Sequence, residues 1–146
     1  EQSVAMEMAQ VITSGIQPLQ NAFYLQRLEQ QSEGKIQAQQ QAKQVITTGL
    51  MALEKMVVRR HAQLQGAAGP YCTGSFGPTI ADCCLVPQMY NARRFGFGIG
   101  DDDDDDDDQL DQVCPTLVQI DALCAQHAAF QAAHPNNQPD YCVGDE

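Results

Sequence analysis

At 146 residues the chain has a one-domain length, enough to bury a core without disulfides or metals. Apolar residues make up 43% and aromatics only 6%, and with abundant Ala and Gln this balance favours helices. The net charge of −11 is concentrated in Asp101 to Asp108, outside which eleven acids face eight bases; that excludes the basic stripe of a nucleic-acid binder.

No apolar stretch reaches the roughly 20 residues needed to span a bilayer, and no signal peptide is visible. A start at Glu1 fits a fragment or a processed product. Six cysteines occur without a CxxC pair, and three histidines are scattered singly. A zinc site needs clustered ligands, so the preferred reading is free thiols in a reducing compartment, packed as small apolar residues. No metal is expected.

From Gln2 to about Glu29 the pattern is helical, with Val4, Met8, Val11 and Ile12 at spacings of three and four. Gly15 and Pro18 interrupt it, and Pro18 predicts a kink or break. The helix then resumes through Leu19, Phe23, Leu25 and Leu28. Gln30 to Gln41 reads as an exposed connection. The next helix is predicted from about Gln37 to about Gln65, with Val45, Ile46, Gly49, Leu50, Leu53, Met56 and Val57 as its buried stripe. Lys43, Gln44, Thr48, Glu54 and Lys55 mark the opposite face.

Gly66 to Pro78 is a loop by its Gly and Pro content. Thr79-Ile80-Ala81-Asp82 then fits a capping box, with Thr79 at the N-cap and the Asp82 carboxylate facing the positive end of the helix dipole. If buried, Asp82 could also hold the preceding loop. The helix that follows is expected to bury Cys83, Cys84, Leu85, Val86 and Met89, to kink at Pro87, and to end near Phe95. Asp101 to Asp108 cannot fold alone. It reads as a solvated loop, the alternative being a loose calcium patch that lacks the turn glycines such sites use. Cys114-Pro115-Thr116 restarts the helical pattern through Leu117, Ile120, Leu123 and Cys124. Ala128, Ala129 and Phe130 open a last short helix, ended by His134-Pro135, and the tail from Asn136 is expected to be extended. Five helical segments without a convincing strand predict an all-α bundle.

Three stretches are more specific. They are Gly15-Ile16-Gln17-Pro18-Leu19-Gln20-Asn21; the run from Thr79 through Val86-Pro87-Gln88 to Arg93-Arg94-Phe95; and Ala129-Phe130-Gln131-Ala132-Ala133-His134-Pro135 with Gln138-Pro139-Asp140. In order and spacing they resemble the C-terminal helical domain of the zeta-class glutathione transferases, the maleylacetoacetate isomerases, over nearly the whole chain. The resemblance implies a single glutathione-transferase C-terminal-like domain over residues 1–146, with an acidic insertion at 96–114, and a thioredoxin-like N-terminal domain absent from this chain. It also implies cytosolic homodimers that turn maleylacetoacetate into fumarylacetoacetate in phenylalanine and tyrosine breakdown. In that reaction the glutathione thiolate adds to the cis double bond, the new single bond rotates, and glutathione leaves.

The thiolate-stabilising motif of the family lies in the other domain, so no catalytic residue is expected here and the chain alone should be inactive. Gln17 and Asn21 match positions that contact glutathione, and Ala22 and Phe23 could offer backbone contacts. Equally, Gln17 could cap the break at Pro18 and Asn21 the resumed helix. Arg94 matches an arginine that holds a carboxylate of a small dicarboxylate substrate, for which a guanidinium is well shaped; otherwise it is a surface arginine favoured by the helix C-terminus. Arg93 reads as surface. Thr79, Asp82 and Pro87 are assigned to folding. Maleylpyruvate isomerisation, general glutathione transfer, or a non-catalytic interaction module on the same scaffold remain alternatives.

Overall fold

The computed structural model describes residues 2–97 and 109–139. Among them the chain is all-helical. Helix α1 spans Gln2–Gln10, followed by a π-helical turn at Val11–Ile16 and a 3-10 turn at Gln17–Gln20. Next come α2 (Ala22–Gln31), α3 (Ala38–Gln63), α4 (Ile80–Arg94), α5 (Leu110–Val113), α6 (Pro115–Cys124) and α7 (Ala128–Ala133). Two differences from the five expected segments stand out. The first segment divides where Pro18 removes a backbone donor, and a four-residue turn, α5, precedes α6.

The core is one cluster. Met8, Ile12 and Ile16 from the first segment meet Ile46, Leu50, Leu53 and Val57 of α3, Leu85 and Met89 of α4, and Leu117, Ile120 and Cys124 of α6. The α3 stripe follows the 3.6-residue period. Where the π turn meets α3, the Ile16 side chain packs directly against the Gly49 backbone. A Cβ there would lie 2.3 Å from Ile16 Cγ1, so the position takes only hydrogen.

Loop 64–79 is held from both sides. At the C-terminal end of α3, Arg60 Nε donates to the Thr73 carbonyl (3.1 Å), and His61 Nε2 lies 2.8 Å from the Tyr71 carbonyl oxygen. From α4, the buried Asp82 carboxylate accepts from Cys72 N–H at 2.9 Å, from Thr79 N–H at 2.7 Å and from the Thr79 hydroxyl at 2.8 Å. Thr79 Oγ1 accepts from Ala81 N–H, and the capping box is formed. Asp82 thus ties the loop to the helix that it starts.

Several expectations need correction. Cys83 is exposed, and Cys84 and Val86 are half-buried; the buried face of α4 is Ala81, Asp82, Leu85, Gln88, Met89 and Ala92. As expected, helix α4 runs on through Pro87, whose ring is exposed, to Arg94. Leu19 and Phe23 face outward, Phe23 at 73% exposure, because the break turns the resumed helix away from the stripe begun at Met8. Glu54 is no free surface acid. Its carboxylate caps α6, accepting from Thr116 N–H (3.1 Å) and Leu117 N–H (3.0 Å), where Cys114 offers no side-chain cap. Arg93 pairs with Asp121 of α6, which is buried. The expected loop at 96–114 is anchored in the core by Phe97, Leu110 and Cys114; Asp101 to Asp108 themselves lie outside the described residues. Pro135–Asn137 forms a 3-10 turn rather than extended chain.

Candidate functional site

The segment from Val11 to Tyr24 combines weak local structure with strong tertiary anchoring. Its π and 3-10 turns lack the regular α-helical ladder, and Pro18 has no N–H to contribute. Ile16 seats it in the core against Gly49. At its far end Asn21 is extended and caps α2, Oδ1 accepting from Phe23 N–H at 3.0 Å and Tyr24 N–H at 3.3 Å. Between these points Gln20 and Gln88 exchange amide hydrogen bonds. Gln20 Nε2 donates to Gln88 Oε1 at 3.0 Å, and Gln88 Nε2 donates to Gln20 Oε1 at 3.1 Å. Gln88 is only 1% exposed, so this pair satisfies a buried amide that would otherwise be costly.

Gln17 and Asn21 therefore flank a segment pinned to the middle of α4. The Gln17 side chain is half-buried and makes no hydrogen bond among the described residues. The Asn21 oxygen is committed to its helix, while Nδ2 makes no hydrogen bond there. Phe23 N–H is taken by the Asn21 cap. Ala22 is exposed.

Arg94 is the last residue of α4 and is exposed, with no ion pair among the described residues. It lies six residues after Gln88, roughly 9 Å along the axis and about 120° around it. The Gln17–Asn21 edge and Arg94 thus share a helix as their frame, but no hydrogen bond joins them. Beside Arg94, the Arg93–Asp121 pair fixes the end of α4 against α6.

A separate apolar groove of about 370 Å³ lies between α4 and α7, lined by Cys83, Val86, Tyr90, Phe130 and His134 among others. None of the residues singled out from the sequence as ligand contacts lines it. Among the described residues no group of three His, Cys, Asp or Glu could hold a metal ion, and no helix is long and apolar enough to cross a membrane.

No family model matches the chain. A probable maleylacetoacetate isomerase of Drosophila melanogaster is 38% identical over 134 residues, 92% of this chain and 48% of that protein. The maleylacetoacetate isomerase of Anaeromyxobacter dehalogenans, solved with dicarboxyethyl glutathione and citrate in its active site, superposes with a TM-score of 0.75 at 38% identity, over 98% of this chain and 55% of that one. In sequence and fold the chain is similar, over nearly its whole length, to maleylacetoacetate isomerases. A maleylpyruvate isomerase of Pseudomonas aeruginosa is also similar, with a TM-score of 0.74 at 30% identity over 96% of this chain and 64% of that one. The chain spans about half the length of the curated maleylacetoacetate isomerases that it matches.

Sequence reasoning missed Gln20, Gln88, Glu54 and the Arg93–Asp121 pair. For Gln88 a signal existed. It stands on the stripe Ala81, Leu85, Gln88, Ala92, where a polar residue at a core position needs a buried partner.

Proposed function

We propose that this chain is the helical half of a glutathione-dependent maleylacetoacetate isomerase, working in tyrosine and phenylalanine breakdown as a cytoplasmic homodimer. A thioredoxin-like half completes the site, and the helical chain alone does not turn over substrate. The observation that carries this reading is the 38% identity, across 98% of the chain, to an enzyme that holds a glutathione conjugate in its active site.

The residues present fit glutathione from one side. Gln17 and the Asn21 Nδ2 keep their hydrogen-bonding capacity, and side-chain amides suit a zwitterionic tripeptide because they donate and accept. Bound glutathione supplies the nucleophilic thiol. The role of this chain is to hold the tripeptide with Gln17, Asn21 and the exposed Ala22–Phe23 shoulder, and to hold a substrate carboxylate with Arg94. A guanidinium can grip a carboxylate bidentately, and its charge persists at any working pH. The thiol proton is left to the thioredoxin-like half.

The test joins this chain to the thioredoxin-like half of the Anaeromyxobacter dehalogenans enzyme. The product is expected to isomerise maleylacetoacetate only with glutathione present, and Arg94→Met to raise KM by roughly 10- to 100-fold, the loss of a charged hydrogen-bonded pair. A folded product that binds glutathione but leaves maleylacetoacetate unchanged contradicts the proposal. Preferential turnover of maleylpyruvate shifts the assignment to that substrate, which the similarity to the Pseudomonas aeruginosa enzyme makes the natural second choice.

A further inference from the structure

We infer that the Gln20–Gln88 amide pair is a positioning device. It sets the Gln17–Asn21 edge in the geometry that receives glutathione, and so rests on the reading of that edge given above. Two features lead to it. The edge has little internal stiffness, since it is a 3-10 turn with a proline that lacks an N–H, and it follows directly on a π turn. Yet its two ligand-facing amides must be fixed in direction to be worth anything in binding, because ordering them on binding would cost affinity.

The available anchors divide this task. Ile16 fixes the start of the edge by packing against Gly49. Asn21 fixes only the first turn of α2, a local contact that travels with the segment. The Gln20–Gln88 pair is the hydrogen-bonded tie between the Gln17–Gln20 turn and another helix. Its two bonds run in opposite senses, so both amide planes are held and sliding breaks both. Gln88 is 1% exposed, so water is poorly placed to substitute for Gln20. An apolar residue at position 88 would satisfy the core equally well; an amide there serves to direct the edge. Neither glutamine touches the ligand. They act through Gln17 and Asn21.

The experiment uses the chain itself, with ¹⁵N relaxation of Leu19 to Tyr24 and a titration with glutathione followed at the Gln17 and Asn21 side-chain amides. In the unaltered chain the backbone order parameters are expected near about 0.85, and glutathione should move both side-chain resonances. The double variant Gln20→Met with Gln88→Met removes both polar groups without orphaning either, so the fold is expected to persist. Order parameters across the segment should nevertheless fall below about 0.6, and glutathione affinity should fall by about tenfold. Gln88→Glu gives an independent signature. Protonated, the carboxyl donates to Gln20 and accepts from it. Ionised, it loses its donor and leaves the Gln20 oxygen unpartnered. Burial raises the pKa of such a carboxyl, so the edge should be rigid at low pH and loosen as pH rises.

A folded double variant with unchanged order parameters overturns the positioning role, whatever glutathione does. A mobile edge with unchanged glutathione affinity overturns it as well. If glutathione moves neither amide in the unaltered chain, the ligand reading of the edge falls, while the relaxation data still report on the tie itself.

Discussion

The carboxylate of Asp82 accepts a 2.9 Å hydrogen bond from the backbone N–H of Cys72, ten positions earlier in the chain. Its other oxygen serves Thr79 twice. One fully buried acid thereby starts α4 and fixes the loop before it. Asp82→Ala would orphan the buried Cys72 N–H and remove the acceptor of Thr79 N–H, half of the capping box. The expected loss is on the order of 3 kcal/mol or more. Asp82→Asn keeps an oxygen for Cys72 but turns an N–H₂ group toward Thr79 N–H, and should cost about 1–2 kcal/mol. Urea denaturation checks both; a loss under about 0.5 kcal/mol for Asp82→Ala would refute the assignment.

Glu54 performs the same service at longer range, capping α6 from α3. Glu54→Ala should destabilise by about 1–2 kcal/mol. Glu54→Gln should lose less, since it keeps one acceptor oxygen. Equal stability of all three proteins in chemical denaturation would show that solvent caps α6 just as well.

Gly49 is expected to tolerate nothing larger. Alanine is ordinarily favoured in a helix by about 1 kcal/mol, but here its Cβ would fall 2.3 Å from Ile16 Cγ1 and 2.5 Å from Cδ1. Gly49→Ala should therefore destabilise by about 1–3 kcal/mol. Adding Ile16→Val, which removes Cδ1, should recover part of that loss. A lower melting temperature for the single variant that Ile16→Val deepens would mean the contact is not the cause.

The thiols divide by burial. Burial pushes Cys114 and Cys124 up to about 12 from the usual 9.0 and raises Cys72 further, helped by the Asp82 carboxylate. Iodoacetamide at pH 8 should modify exposed Cys83 well before these three, as peptide mapping would reveal. Because the folded values are raised, the neutral thiols contribute stability that is fully present below pH 9 and lost as pH rises through about 12. The melting temperature should fall over that window, and less steeply in Cys114→Ala/Cys124→Ala. An unchanged slope would contradict the burial argument.

Local grammar made much of this fold readable. The period of Ile46, Leu50, Leu53 and Val57 marks α3, the Thr79–Asp82 spacing marks the start of α4, and Pro18 marks the break. What stayed hidden depends on partners far along the chain. Gln20 and Gln88 are separated by 68 residues, Glu54 and Leu117 by 63, and Arg93 and Asp121 by 28. No local pattern encodes such a pairing, and a polar side chain alone reads as solvent-facing. Of the candidate site, motif resemblance supplied Gln17, Asn21 and Arg94. The capping duty of Asn21 follows from chemistry alone; the tie that orients its segment emerges only in three dimensions.

In the proposed function these helices hold glutathione and a carboxylate but do not activate a thiol. The rate at which the purified chain, with added glutathione, converts maleylacetoacetate to the trans isomer tests this. That rate is expected to equal the rate with glutathione alone. Turnover above that background, abolished by Arg94→Met, would place the whole reaction within this chain and overturn the proposal.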